Sequence, residues 1–473
     1  MLVAVGALAA GCATTHTINH AKSAKSAKSS HSSHSYSARH SATSTKGGHP
    51  SRSVTPAKPA PASAPSASSS QALATGTLYV ANTFQTTSTP GVSITPIDVA
   101  SGATGVSLEA GSGPDGLAIT QNGATAYVAD GGTPSVPGDQ VTPVNLATGQ
   151  AGRPIGVGIN PIGMAITPNG AYLYVVNSGY PTATDSTVTP INLLTGHPGA
   201  PIEVGQGPLA IAIAPDGLTA YVTVAGYTSP QTSSGTPSTP PPGKVVPINL
   251  VTGSPEPAIT VGPEPAAIAI APDGTEAYVA NAGGSTVTPI NLATHTPGPP
   301  VTVGPAPTDI AIAPGGKQAY VTIGASGTVV PLDLATMAVG APIKVGAAPL
   351  AIVITANGRE AFVANGGSDT GTTVVKGSIT PINLMAGTAE APIPLTSFPE
   401  ALAITSAVYV HAGARAPLPS KAPTGITAGA ATGVTSGASV ATYAREDAGA
   451  GSGAGSGAGA ATRRQPWSWR WIR

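Results

Sequence analysis

The stretch 266–307, AAIAIAPDGTEAYVANAGGSTVTPINLATHTPGPPVTVGPAP, reads as one complete sheet of four short strands. Strands are expected at 268–271, 276–281, 286–292 and 300–303. The breaks between them are built from Gly, Pro, Asn and Asp, the residues that turns between apolar runs require. Asp273-Gly274 between two apolar runs is a hairpin signal, read here as a turn in which both central residues tolerate positive φ. The same pattern recurs along the chain, so a repeat architecture takes precedence over any single-motif reading.

The second-strand signature appears seven times, at Tyr79, Tyr127, Tyr174, Tyr221, Tyr278, Tyr320 and Phe362, each followed by Val. Third strands follow at 94–99, 141–146, 188–193, 245–250, 287–292, 329–334 and 379–384. First strands of Ala-Ile type sit at 118–120, 165–167, 212–214, 269–271, 311–313 and 403–405, with 351–354 as a variant. The classes are out of phase: the array opens on a second strand and closes on a first strand. That offset closes a ring of sheets, with the last strand completing the first sheet and leaving no exposed edge. The stretch 407–411 reads as a possible extra strand beside the closure.

Composition agrees. Gly (60) and Pro (49) are abundant while aromatic residues make up only 4%, which suits many short strands rather than helices. The formal net charge of zero hides an asymmetry. Residues 76–411 hold 18 acids and 6 Lys or Arg, whereas both flanks are basic. An acidic body argues against nucleic acid as a partner, because phosphates demand Lys and Arg. There is one cysteine, Cys12, so no intrachain disulfide forms.

The repeat resembles the YVTN-type β-propeller family in Tyr278-Val279-Ala280-Asn281, Ala271-Pro272-Asp273-Gly274 and Val287-Thr288-Pro289-Ile290-Asn291-Leu292-Ala293-Thr294. The resemblance covers about 76–411. It implies an all-β fold: a seven-bladed propeller of four-stranded antiparallel blades, its ring closed by a C-terminal strand. Members of the family include surface-layer and secreted proteins, and related propellers include lactonases and subunits of quinoprotein dehydrogenases.

On a propeller the fourth-to-first and second-to-third loops share one face. That mapping places Asp115, Asp309 and Glu400 at the rim of the central channel, with Asp130, Asp185, Asp369, Asp139 and Glu264 further out. Only Lys244 and Lys376 oppose them. These acids are the candidate ligand-binding set, and a solvated acidic rim is the plain alternative. Carboxylate oxygens suit a hard cation such as Ca²⁺, but no Asp-x-Asp-x-Asp-Gly loop is present and no cofactor is assigned. Asn82, Asn177, Asn281 and Asn365 read as turn residues in left-handed conformations. The tyrosines of the second strands read as packing between blades.

No catalytic residues are assigned. Outside the N-terminal segment the histidines are His197, His295 and His411, and the first two fall in third-to-fourth turns on the opposite face. A Ser–His–acid set therefore lacks its base at the rim. The expectation leans away from an enzyme.

The flanks read as tails. Residues 1–12 resemble a signal ending in a bacterial lipobox, Leu8-Ala9-Ala10-Gly11-Cys12, with Cys12 as the lipidation site; Ala9 stands where that pattern usually has Leu, and a charged leading region is missing. Residues 13–75 are Ser-, Ala-, Lys-, His- and Pro-rich and read as a disordered tether. Residues 412–473 read as a disordered Ala-, Gly- and Ser-rich tail. It ends in RRQPWSWRWIR, where alternating Trp and Arg suit an anionic membrane interface and the abrupt change of composition equally suits a spurious end. Together these features point to a membrane-anchored envelope protein on the cell surface. Its propeller would bind a protein or glycan without catalysis. The alternative is a lactonase-like hydrolase or a dehydrogenase accessory propeller.

Overall fold

A computed structural model describes residues 76–84, 90–133, 136–179, 186–226, 241–369 and 374–405. Cys12, Asp185, the stretch 407–411 and both tails lie outside the described residues.

The repeat of 266–307 forms one sheet, with its innermost strand at Pro265–Ile270, followed outward by Glu276–Asn281 and Thr286–Asn291. Its outer edge is split. Thr296–Pro297 and Val301–Thr302 each pair with a different end of the third strand. The fourth strand expected at 300–303 is present as Val301–Thr302, and the second short piece, Thr296–Pro297, falls where a turn was expected.

Seven such antiparallel sheets follow one another, and Ser368–Asp369 pairs with Val374–Val375 as a separate two-stranded hairpin between two strands of the last. Numbered from the N-terminus, blade 1 holds Thr77–Phe84, Pro90–Asp98 and Leu108–Glu109, with Phe398–Ile404 as its innermost strand. The innermost strands of blades 2 to 7 are Pro114–Ile119, Pro161–Ile166, Pro208–Ile213, Pro265–Ile270, Pro307–Ile312 and Pro349–Ile354. Closure is therefore made between the two ends of the array. Leu78 pairs with Ile404 and Tyr79 with Ala403. The Thr405 amide donates to the Thr77 carbonyl at 2.9 Å, and the Ser397 hydroxyl donates to Asn82 Oδ1 at 2.6 Å.

What holds neighbouring blades together is legible in the alternation of the inner strands. Ala267 and Ala269 of blade 5 present small side chains to Ile310 and Ile312 of blade 6, beside Tyr278 and Val321. Ala210 and Ala212 of blade 4 meet Ile268 and Ile270 of blade 5 in the same way. A small face thus packs on a large face at successive seams, and the apolar core lies between sheets rather than in one centre. The strand-two tyrosines sit in these seams, as expected.

The Asp-Gly turns differ from expectation. Gly274 has φ +71°, whereas Asp273 is not left-handed. Asp273 serves through its carboxylate, which accepts from the Thr275 amide and hydroxyl. One left-handed residue suffices because the turn is longer than two residues: the Ala271 amide donates to the Glu276 carbonyl across it.

The Asn reading is also corrected. Asn281 is extended, with φ −102° and ψ 97°, at the end of its strand. Its amide donates to the hydroxyls of Thr286 (3.1 Å) and Thr288 (2.8 Å) on the neighbouring strand. Asn82, Asn177 and Asn365 do the same to Ser93 and Thr95, Thr187 and Thr189, and Ser378 and Thr380. Buried amides need partners, and the alternate Ser or Thr residues of the third strand supply them. A Cβ on Gly262 would lie 2.6 Å from Asn281 Cγ, and one on Gly346 2.5 Å from Asn365 Cγ. These glycines before the inner strands leave room for the Asn side chains.

Candidate functional site

The face with the fourth-to-first and second-to-third loops carries the candidate acids. Four of them are buried and form no solvated rim. Asp115, Asp130, Asp309 and Glu400 keep 3%, 5%, 1% and 6% of their surface exposed. The correction has a local cause: each lies within a strand, Asp115, Asp309 and Glu400 near the start of inner strands and Asp130 in Thr125–Thr133. Asp139 fits the solvated reading plainly, being exposed, while Glu264 is half-buried. Asp369 lies in the small hairpin of blade 7, and Asp185 outside the described residues.

Asp309 occupies an inner-strand position where blades 4, 5 and 7 carry Ala210, Ala267 and Ala351. That position faces the next blade. Its Oδ2 accepts from the Ile352 amide of blade 7 at 2.9 Å, and its Oδ1 from the Ile310 amide at 2.8 Å. Two main-chain N–H groups stabilise a buried carboxylate as strong charge-assisted acceptor bonds. Beside it, the Thr308 hydroxyl donates to the Pro349 carbonyl of blade 7 at 2.7 Å. Asp309 is thus a clamp between blades 6 and 7.

Asp115 and Glu400 are equivalent residues, each following the first inner-strand Pro of adjacent blades. Asp115 faces back toward Thr83 of blade 1, and burial pushes its carboxyl up to about 8, with the Thr83 hydroxyl opposing and the Asp130 charge adding to the rise. Asp130 lies in the second strand of the same blade, Thr125–Thr133, where four other blades place the cross-strand Asn. Burial pushes it up to about 7, against the pull of Thr142 and the Gly111 amide. Here the donor is reversed: the Thr142 hydroxyl donates to Asp130 Oδ2 at 2.6 Å. Asp130 Oδ1 lies over the Gly111 main chain without a hydrogen bond of ordinary geometry, and Asp115 Oδ1 likewise has no partner.

Glycines make this pair possible. A Cβ on Gly111 would fall 1.8 Å from Asp130 Cγ, and one on Gly131 would fall 2.1 Å from Asp115 Oδ2. The same point over Gly131 is 3.1 Å from Asn160 Oδ1. Asn160 is a buried residue held at φ +52° just before the inner strand of blade 3. Sequence reasoning passed over Asn160. The available signal was its place before Pro161, where blades 2 and 4 have Gly113 and Gly207.

The structure therefore brings Asp115 and Asp130 together and engages Asp309 separately at the seam of blades 6 and 7. Lys244 and Lys376 are exposed. On the opposite face, His295 is left-handed (φ +54°) and its Nε2 lies 3.1 Å from the Tyr221 hydroxyl; Nδ1 is 3.8 Å from Glu256. In blades 5 and 6 the equivalent tyrosine hydroxyls donate to Glu276 and Gln318. Thr219 stands at that place in blade 4, and His295 supplies the partner instead. Two surface hollows, one lined by Glu276, Asn291 and Pro297 and the other by Val106, Leu108 and Gln150, touch none of the rim acids.

No family model matches this chain, and no curated protein matches it in sequence. Solved structures do resemble it. The Pseudomonas aeruginosa periplasmic gluconolactonase is 15% identical, with a TM-score of 0.56 over 70% of this chain and 99% of its own. A Bacteroides fragilis protein provisionally named a 6-phosphogluconolactonase is 17% identical, with a TM-score of 0.53 over 72% and 100%. Hydrazine synthase of Kuenenia stuttgartiensis is 20% identical, with a TM-score of 0.51 over 62% and 90%. At these identities the likeness is one of fold.

Proposed function

We propose that this chain is a non-catalytic binding module of the cell envelope, whose rigid propeller presents one loop-bearing face to a protein or glycan. The observation that carries the reading is the condition of the rim carboxylates. Asp309 is occupied by two main-chain amides, and Asp115 and Asp130 are buried among blades 1 to 3. A hydrolase needs its acid and base within reach of substrate, and these groups serve the scaffold. The loops above them vary freely on a rigid ring: 282–285 is short and 225–243 long, which is how such scaffolds acquire binding specificity. Lipidation at Cys12 and the basic tether would hold the module at a membrane.

A lactonase-like hydrolase is the second reading, favoured by the fold shared with the gluconolactonase and by two carboxyls pushed toward neutrality. The deciding assay is hydrolysis of gluconolactone by the purified chain. The binding-module reading expects the spontaneous rate. Faster hydrolysis that falls in an Asp309→Ala/Glu400→Ala variant would overturn it. Retention on isolated host cell-wall material should drop when the 225–243 loop is cut to the length of 282–285; equal retention removes that face as the binding surface.

A further inference from the structure

We infer that Asp115, Asp130 and Asn160 form a binding site for a hard divalent cation, with calcium as the fitting ion, at the loop-bearing end of blade 2. The inference is independent of the partner-binding reading.

Three observations converge. First, the end of blade 2 differs from the other blades in charge. Asn82, Asn177, Asn281 and Asn365 end their strands as neutral donors, whereas Asp130 places a carboxylate there, and Asp115 adds a second one beside it. The side chains shown to face the pair are Thr83, Thr142 and Asn160, none of them cationic. Two carboxylates gathered in a buried place are costly without a counter-charge, and one divalent ion balances both.

Second, oxygens remain to be used. Asp115 Oδ1 and Asp130 Oδ1 are buried with no hydrogen-bond partner. Asn160, at 7% exposure, belongs to a different blade. Its Oδ1 points at the spot over Gly131 that Asp115 Oδ2 also borders. Carboxylate and amide oxygens are the donor set that Ca²⁺ takes.

Third, glycine lets the two carboxylates rest directly on the main chain. Any side chain at Gly131 would collide with Asp115 Oδ2 at 2.1 Å, and any at Gly111 with the Asp130 carboxylate at 1.8 Å. Any larger residue at either place would push the carboxylates out of the positions that gather them.

The test is thermal unfolding of the full chain, stripped with chelator and titrated with CaCl₂ at one fixed pH near 8. Wild type is expected to gain about 3–5 °C at a hundredfold excess over the dissociation constant. Asp130→Asn should abolish the response while folding normally, because Asn is what four other blades carry at that place. Asn160→Gly, which keeps the left-handed backbone comfortable, should weaken binding severalfold by isothermal titration with CaCl₂. A wild-type chain that neither shifts nor binds Ca²⁺ overturns the inference. So does a response that persists undiminished in both variants.

Discussion

Replacing Asp115 by Asn should flatten the pH dependence of stability on the alkaline side. The unfolded carboxyl titrates near its ordinary value of 3.8, while burial raises the folded one to about 8. Between those values the folded chain holds a proton that the unfolded chain has lost. Stability is then greatest at acid pH and is lost as pH rises toward 8, the reverse of a salt-bridged carboxylate. Each such proton tilts stability by about 1.4 kcal/mol per pH unit. From about pH 6 to about pH 8, Asp115 should remove about 2–3 kcal/mol from wild type, and Asp130, with its carboxyl near 7, about 1 kcal/mol more. In Asp115→Asn only the Asp130 part remains, because burial is what raises that carboxyl. Asp98 and Asp333 do not blur this window, since hydrogen bonds from Ser101 and Thr336 lower their pKa values instead. The assay is guanidinium unfolding across the pH series in chelator-containing buffer, with wild type and variant compared at each point. Parallel pH profiles for the two proteins would refute the argument, because they would mean that Asp115 is ionised in the folded chain or already satisfied.

Two further outcomes follow from the glycines and the clamp. Gly113→Ala should cost more than about 3 kcal/mol, because Gly113 has φ +60° and a Cβ there would meet the Gly132 carbonyl oxygen at 2.0 Å. Gly170→Ala, at a similar φ but with open space around it, should cost only about 1 kcal/mol, and urea midpoints compare the two directly. Asp309→Ala should destabilise by about 1–2 kcal/mol, since it removes the acceptor of the Ile310 and Ile352 amides yet leaves a residue that blades 4, 5 and 7 already accommodate. Hydrogen exchange should quicken first at Ile352; unchanged exchange there would contradict the clamp.

The ring and its closure were legible because both are periodic facts. Seven recurrences of Tyr-Val, out of phase with the first strands, demand a ring whose last strand pairs with its first, and Thr77 does meet Thr405. The strand-ending Asn residues were misread because local propensity favours turns. The hydroxyl ladder that recruits them lies on another strand, and Asn281 stays extended to reach it.

For the candidate site, residue type and strand position were readable, and environment was not. Asp115, Asp309 and Glu400 look alike in sequence, three acids at the start of inner strands. Yet Asp309 faces the next blade and finds two amides, while Asp115 faces the previous one and finds a hydroxyl and a second carboxylate. The side to which a strand residue points changes with a shift of one position, and what it meets depends on a chain segment far away in sequence. Ile352 and Asn160 belong to neighbouring blades, so no local pattern could announce them. The sequence by itself determined the number of blades and the closure, because each follows from a period repeated along the chain. Tertiary structure alone decided which acids are engaged, which are paired and which are buried, because burial and charge are properties of the seams where separate repeats meet.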